Sequence, residues 1–343
     1  MILVTGGTGL VGSHLLYFLL KEGHTVRAIR RKSSDLKAVQ DVFSFCAETS
    51  EIGAHLFHKI EWVDADITEI PSLSEAFIGI THVYHAAGFI SFKSVDYAKL
   101  KKTNIEGTAN VVNLCLINNI EKLIHVSSIA TLGKEDNGNL ISEKKEWNPE
   151  NDNSVYSISK YGAEMEVWRA SQEGLDVVIV NPGVIIGSGH WNSGSGVIFN
   201  SVAKGIPFYT TGGIGIVDVE DVVKAMVLLM KSQVVNKSFV LVGKNIYFRE
   251  LLSEIASNLN KKSSNKKAPK WALMLFSKFD WMFALLLGKG QKLPKSTVHS
   301  LYNISFYDSS KIINELSFSF TPHKETLARV AQNYLHKINK QLR

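Results

Sequence analysis

Met1-Ile2-Leu3-Val4-Thr5-Gly6-Gly7-Thr8-Gly9-Leu10-Val11-Gly12 is the stretch whose reading decides the fold. Met1 to Val4 is a short apolar run suited to a buried strand, Thr5 to Gly9 requires a tight turn, and Leu10 to Leu20 is apolar enough for a packed helix. Each glycine has its own reason. Gly7 is expected to take backbone angles that a side chain forbids, Gly9 to let the main chain approach a diphosphate, and Gly12 to let the helix pack closely on the strand. The first turn of such a helix points unpaired N–H groups and the positive end of its dipole outward, an anion site made of backbone. Strand, glycine turn and helix in this order predict a dinucleotide site lined by Gly6, Gly7, Thr8, Gly9, Leu10, Val11 and Gly12.

Outward from this stretch, strand-like runs recur at Thr25 to Ile29, Ile60 to Val63, His82 to His85, Leu123 to Ser127, Val177 to Val180 and Phe239 to Val242, mostly with helical segments between them. Parallel neighbours need crossover helices, so the alternation predicts an α/β, Rossmann-like doubly wound parallel sheet. Beyond residue 181 the pattern changes. Residues 182 to 216 are rich in Gly and Ser, and Asp218 to Met230, Phe248 to Asn258, Trp271 to Leu287 and Lys324 to Asn339 read as helices. The expected organisation is a dinucleotide-binding domain over 1–181 with later contributions from about 214–245. A smaller, mainly helical C-terminal lobe over 182–213 and 246–343 would take the substrate.

With 343 residues and 45% hydrophobic content the chain can bury a large core. Cys46 and Cys115 match no metal spacing, which together with the absence of a leader segment predicts a reducing, cytoplasmic setting. Net charge is +6 and pI about 9.0, yet the basic residues are interspersed with acidic ones, so no nucleic-acid partner is expected. The one dense run, Lys261, Lys262, Lys266, Lys267 and Lys270, reads as a solvated linker. Trp271 to Leu287 is the longest apolar stretch; Lys278 and Asp280 interrupt it and it falls short of the ~20 residues of a spanning helix, so no transmembrane segment is expected. Its Trp271, Leu273, Met274, Leu275, Phe276, Phe279, Trp281, Met282, Phe283 and Leu285 to Leu287 have three readings: ordinary core, the wall of a greasy substrate pocket, or a peripheral patch on a membrane interface.

An NAD site places an acid about 20 residues beyond the glycine turn, at the end of the second strand. Here Arg30, Arg31 and Lys32 occupy that place, a charge set suited to a 2′-phosphate, so NADP is the expected cofactor and NAD the alternative. After the third strand Asp66, followed by Ile67, is a plausible acceptor for an adenine amino group. After the fourth, Ala86, Ala87 and Gly88 are small enough to let backbone pass close to the cofactor. His82 and His85 fall on opposite faces of a strand, and no metal site is read.

Tyr156 and Lys160 lie four apart on a helix expected to begin near Asn153 or Ser154. Tyr17 with Lys21 and Tyr97 with Lys101 share that spacing, so position decides: only Tyr156 follows the fifth strand, whose end carries Ser127 and Ser128. A lysine charge ~4 Å away at an effective dielectric near ~20 offers on the order of 4 kcal/mol, about what lowering a phenol from ~10 to ~7 requires. Tyr156 is therefore expected to exchange a proton with a carbonyl/alcohol pair near neutral pH.

Through Thr5-Gly6-Gly7-Thr8-Gly9-Leu10-Val11-Gly12, His85-Ala86-Ala87-Gly88, Asn104-Ile105-Glu106-Gly107-Thr108-Ala109-Asn110, Ser127-Ser128, Tyr156 with Lys160, and Asn181-Pro182-Gly183, the chain resembles the extended short-chain dehydrogenase/reductase family, within the NAD-dependent epimerase/dehydratase superfamily. The resemblance implies that Ser128 hydrogen-bonds the substrate oxygen, with Ser127 the alternative, and that Tyr156 exchanges its proton. It also implies that Lys160 binds the nicotinamide ribose and poises Tyr156, that Asn104 supports a proton relay, and that Pro182, Gly183 and Val184 line the cofactor. A hydride passes between the nicotinamide ring and a substrate carbon in such enzymes. The resemblance further implies a homodimer, through the helices containing Asn104 to Leu116 and Tyr156 to Arg169.

Nucleotide-sugar epimerases of this family carry Tyr-Gly-Pro after the sixth strand and Arg-Asp-aromatic before an Asp-Val motif; here the segments are Ile185-Ile186-Gly187-Ser188-Gly189 and Gly213-Ile214-Gly215-Ile216-Val217-Asp218. Dehydratases show acids beside the serine position, where this chain has Ile129-Ala130-Thr131. The remainder is similar to the dihydroflavonol reductase and 3β-hydroxysteroid dehydrogenase branch. The expected function is an NADP-dependent reductase or dehydrogenase acting on a hydrophobic or aromatic small molecule. The alternatives are a nucleotide-sugar epimerase or dehydratase and a non-catalytic dinucleotide sensor.

Overall fold

In the computed structural model, which describes residues 1–134, 138–287, 291 and 293–341, the opening apolar run becomes strand β1 (Ile2–Thr5), inside a seven-stranded sheet. β2 (Val26–Arg30) and β3 (Glu61–Asp64) extend the sheet on one side. On the other come β4 (His82–His85), β5 (Lys122–Val126), β6 (Asp176–Pro182) and Lys237–Leu241. Every neighbouring pair is parallel. The winding reverses between β1 and β4, which leaves a crevice at the carboxyl ends of those strands, where doubly wound sheets bind ligands. This is the Rossmann-type α/β architecture expected from the alternation, and the strand positions agree to within one or two residues.

Strand side chains alternate between the two faces. Val4 and Ala28 join a core with α1 (Leu10–Lys21) and the helix Val219–Lys231, whereas Leu3 and Ile29 join one with the helices Gly107–Ile117 and Val155–Gln172. Of the two helices between β2 and β3, Lys37–Cys46 adds Val39 and Phe43 to the first core and Ser50–Phe57 adds Leu56 and Phe57.

The glycine turn differs in one respect from its reading. The left-handed backbone angle falls on Gly6 (φ +71), not on Gly7, and a Cβ on Gly6 would lie 2.5 Å from the Ala87 nitrogen. Gly7 instead faces the side chains of Leu16 and Ala28 at 3.0 and 3.1 Å. Gly12 behaves as expected: a Cβ there would stand 2.1 Å from the Gly6 carbonyl oxygen. At Gly9, the residue capping α1, an added Cβ would meet only the Gly6 carbonyl oxygen, at 3.4 Å.

Beyond β6 the chain leaves the sheet at Gly183, where a Cβ would lie 2.5 Å from the Gly215 carbonyl oxygen. Val184–Ile186 then pairs parallel with Gly213–Asp218, which pairs antiparallel with Lys244–Tyr247. Lys266–Lys267 pairs with Phe208–Tyr209, so two members of the dense lysine run are strand rather than linker. The reason is that ladder bonds use backbone alone: the Lys266 N–H donates to the Pro207 carbonyl and that of Ala268 to Tyr209, at 3.2 and 2.9 Å. The final helix, His323–Gln341, buries Leu327, Val330, Ala331 and Tyr334 in a third core with Phe199, Leu251 and Ile255.

Trp271, Leu275, Phe276, Phe279 and Trp281, on the helix Lys270–Leu287, are exposed, which removes the core reading for them. The side chains of Met282, Phe283 and Leu285 to Leu287 lie outside the described residues. Among the described residues no helix is long and apolar enough to cross a membrane.

Gly12→Ala drives a methyl into the Gly6 carbonyl and should lower stability by roughly 2 kcal/mol or more, whereas Gly9→Ala should cost less than about 1 kcal/mol. Denaturant melts of both variants check this, and equal losses would overturn it.

Candidate active site

Three segments meet at the carboxyl ends of β1 and β4. The Thr5 hydroxyl lies 2.6 Å from His85 Nδ1 and accepts from the Ala87 N–H at 3.3 Å, while His85 Nε2 lies 2.9 Å from the Thr108 hydroxyl. These contacts hold Ala86 and Ala87 against Gly6 and leave Gly88 exposed beside Asn104. Burial and then the Lys160 charge push the His85 pKa down to about 3, so the imidazole is a neutral structural bridge with both ring nitrogens engaged.

The next strand end carries the serines. Ser128 accepts from the Ala130 N–H through its hydroxyl at 3.1 Å and heads a short turn, Ile129–Thr131. Ser154 caps the helix Val155–Gln172 by accepting from the Ser157 N–H, which sets Tyr156 in the first turn, facing Ser128. Ser127 points elsewhere, into a buried group with Glu164, so of the two serines only Ser128 stands with the phenol.

The expected electrostatics of the pair need correction. Crowding around the Tyr156 hydroxyl pushes its pKa up to about 12, and the opposing influence is the neighbouring Ser128 rather than Lys160. Lys160 is buried and its ammonium donates to the Val126 carbonyl at 2.9 Å, with His125 Nε2 at 3.4 Å. An ammonium only donates, so His125 accepts at Nε2. Burial lowers the Lys160 pKa to about 8, and Glu164, one turn further along the helix, opposes that shift. Glu164 is itself pushed up by burial, though it accepts from Thr131 and Asn181 at 2.7 and 2.6 Å.

Asn104 is buried in a six-residue stretch of π-helix, Lys101–Glu106, a wider turn often found at functional positions. Its amide accepts from the Phe89 N–H at 2.7 Å and donates to the Phe89 carbonyl at 3.0 Å and to the Ser159 hydroxyl at 2.9 Å. Ser159 in turn donates to the Tyr156 carbonyl at 2.8 Å. The loop after β4 is thereby tied to the Tyr156 helix, and the Phe92 ring stands 5.3 Å from that of Tyr156.

At the far end of the crevice Arg30 is not free: it donates to Asp64 across β2 and β3 at 2.9 Å. Arg31 and Lys32 are exposed just beyond the strand, with no ion pair among the described residues. Asp66 Oδ1 accepts from the Thr68 N–H and hydroxyl at 2.9 and 2.8 Å, and buried Ile67 accepts from Asn110 at 2.9 Å through its carbonyl.

Sequence reasoning missed His125 and Glu164. Glu164 was detectable as the next position on the Tyr156 and Lys160 face; His125 required the β4–β5 register, which sets it beside His85 with ring centroids 5.0 Å apart. Because Lys160 is held below its free pKa, the unfolded chain binds the extra proton between about pH 8 and 10.5. Wild type should therefore gain roughly 2 kcal/mol over Lys160→Met between pH 7 and pH 10. Unfolding free energies at the two pH values measure this, and a pH-independent difference would refute the buried-charge account.

Residues 2–243 match the NAD dependent epimerase/dehydratase family. A provisionally assigned dihydroflavonol 4-reductase of Synechocystis sp. is 28% identical over 334 residues, covering 95% of this chain and 92% of the relative. Tetraketide alpha-pyrone reductase 2 of Arabidopsis thaliana is 30% identical over 243 residues, covering 67% and 73%. The fold is shared with UDP-glucose 4-epimerase of Thermus thermophilus in complex with NAD, at TM-score 0.73 and 20% identity over 97% of this chain and 98% of that one. The chain belongs to the NAD dependent epimerase/dehydratase family and is an NAD(P)-dependent oxidoreductase of the extended short-chain dehydrogenase/reductase type.

Proposed function

We propose that the protein interconverts a carbonyl and an alcohol on a hydrophobic or aromatic small molecule, with NADP as cofactor. The observation that carries the reading is the facing pair Ser128 and Tyr156 beside an apolar loop in which Ile90 and Phe92 are exposed. The reductase relatives support the same direction.

In this reading Ser128 donates to the substrate oxygen and Tyr156 delivers or removes the proton there. Lys160, one turn beyond Tyr156 on the same helix, is held by the Val126 carbonyl. Asn104 is a positioning residue that fixes the Phe89 backbone and the helix carrying Tyr156. A nicotinamide dinucleotide bound in the crevice supplies or accepts the hydride.

The chain's own shape suits that cofactor. Backbone is bare at Gly9 on the α1 N-terminus, and Thr8, Leu10 and Val11 flank it; Asp66, Ile67, Ala86, Ala87, Gly88, Pro182, Gly183 and Val184 would complete the lining. The preference for NADP rests on Arg31 and Lys32, with Arg30 steered by Asp64. Residues 182–213 and 246–343 would form the substrate lobe. A homodimer through the helices Gly107–Ile117 and Val155–Gln172 would cover exposed Ile117, Ile158 and Met165.

Thermal shifts should show greater stabilisation by NADPH than by an equal concentration of NADH, since stabilisation grows with the logarithm of concentration over Kd. With a carbonyl panel, Tyr156→Phe should lower kcat at least about 100-fold while leaving the NADPH-induced shift nearly intact. Wild-type turnover in that variant would end the catalytic assignment, and a larger NADH shift would reverse the cofactor assignment. UDP-sugar turnover without net NADPH consumption would move the protein to the epimerases. Light scattering should give a dimer mass that Met165→Asp with Ile158→Asp halves, and an unchanged mass would exclude these helices as the interface.

A further inference from the structure

Over residues 271–281 the helix Lys270–Leu287 buries Ser277, half-buries Ala272, Leu273, Met274 and Asp280, and leaves the other side chains exposed. Buried Ser277 donates to the Leu293 carbonyl at 2.8 Å, and Asp280 accepts from the Leu293 N–H at 2.8 Å. At 100° per residue, Trp271, Leu275, Lys278 and Phe279 fall within one arc opposite those anchors, with Phe276 and Trp281 about 60° beyond its two ends. Trp271 is 71% exposed, Phe276 59% and Trp281 58%, an aromatic concentration that a surface facing only water does not need.

Charge identifies what covers this face. Residues 256–307 contain nine lysines against the single acid Asp280, a net +8, so the rest of the chain carries −2 of the overall +6. Lys261, Lys262, Lys266, Lys267, Lys270 and Lys278 are all exposed. Two copies meeting through this face would bring like charges together, which opposes self-association. Exposed Trp and Phe bordered by lysines is the pattern of a helix lying in the plane of an anionic bilayer, rings at the headgroup level and ammonium groups on lipid phosphates. Among the described residues this helix is not long and apolar enough to span, so the contact argued for is with one leaflet.

We infer that the exposed face of Lys270–Leu287, with its flanking lysines, is a peripheral docking surface for anionic lipid membranes. The inference is independent of the substrate and cofactor assigned above.

The test is flotation of the full-length protein with phosphatidylcholine vesicles, with and without phosphatidylglycerol. Binding is expected to the anionic vesicles, falling at least about tenfold when NaCl is raised from about 0.1 to about 0.5 M. Trp271→Ser with Phe276→Ser and Phe279→Ser should lower binding by a similar factor while leaving the melting temperature and its NADPH shift unchanged, since all three side chains are exposed in the fold. Failure to bind either vesicle, or equal binding by the triple variant, would overturn the inference. A doubled solution mass abolished by the same substitutions, without vesicle binding, would assign the face to a second copy instead.

Discussion

The structure depends on backbone meeting backbone at the carboxyl end of β1. Gly6 in its left-handed conformation touches the Ala86–Ala87 peptide on one side, and its carbonyl nearly touches Gly12 on the other. No side chain fits at either contact, and removing side chains there brings α1 close enough to present its N-terminus to the crevice. The Thr5 hydroxyl then locks His85 and the Ala87 amide to the same point. One glycine turn thus determines where β1, β4 and α1 lie relative to one another.

From that corner, polar contacts rather than apolar packing carry precision to the Tyr156 helix. Asn104 satisfies both backbone groups of Phe89 and reaches Ser159, while Lys160 reaches back to the carbonyl of Val126 on β5. Burying these groups is costly unless each finds a partner, so each one found also fixes a distance. Lys160 shows what this asks of the fold. Its ammonium has a carbonyl, an imidazole and a nearby carboxyl, and its pKa still falls, so desolvation outweighs the three together. Burial acts on both groups of the helix, lowering the Lys160 pKa and raising that of the Tyr156 phenol.

What sequence showed and what it hid follow from the range of the interactions involved. The strands, α1 and the Ser154-capped helix were legible because periodicity and capping act over a few residues. The choice between Gly6 and Gly7 was not, since both lack a side chain and the deciding contact comes from Ala86 and Ala87, some eighty positions away. Arg30 looked free for the same reason: Asp64 becomes its partner through the β2–β3 register. Lys160 looked like the partner of Tyr156 because helical spacing places them on one face. It says nothing of the Val126 carbonyl, which is where the ammonium goes.

The candidate catalytic residues and the candidate cofactor contacts all precede residue 185, yet the last helix helps hold the crevice in shape. Arg329, on His323–Gln341, pairs with both Asp218 and Glu220, and Thr326 donates to Asp218 at 2.7 Å. The Asp218 side chain is 1% exposed and also caps the helix Val219–Lys231 by accepting from Glu220 N–H. A carboxylate that deeply buried cannot lose its cation without reorganising. Lys337 meets Asp41 on the helix Lys37–Cys46, and Asn333 meets Ser188 just past the point where the chain leaves the main sheet. The late segment therefore works as an electrostatic clamp. It ties the switch from β6 into the second sheet to the helices packed beside α1, so the alignment of the glycine turn with the residues after Gly183 is set from the far end of the chain.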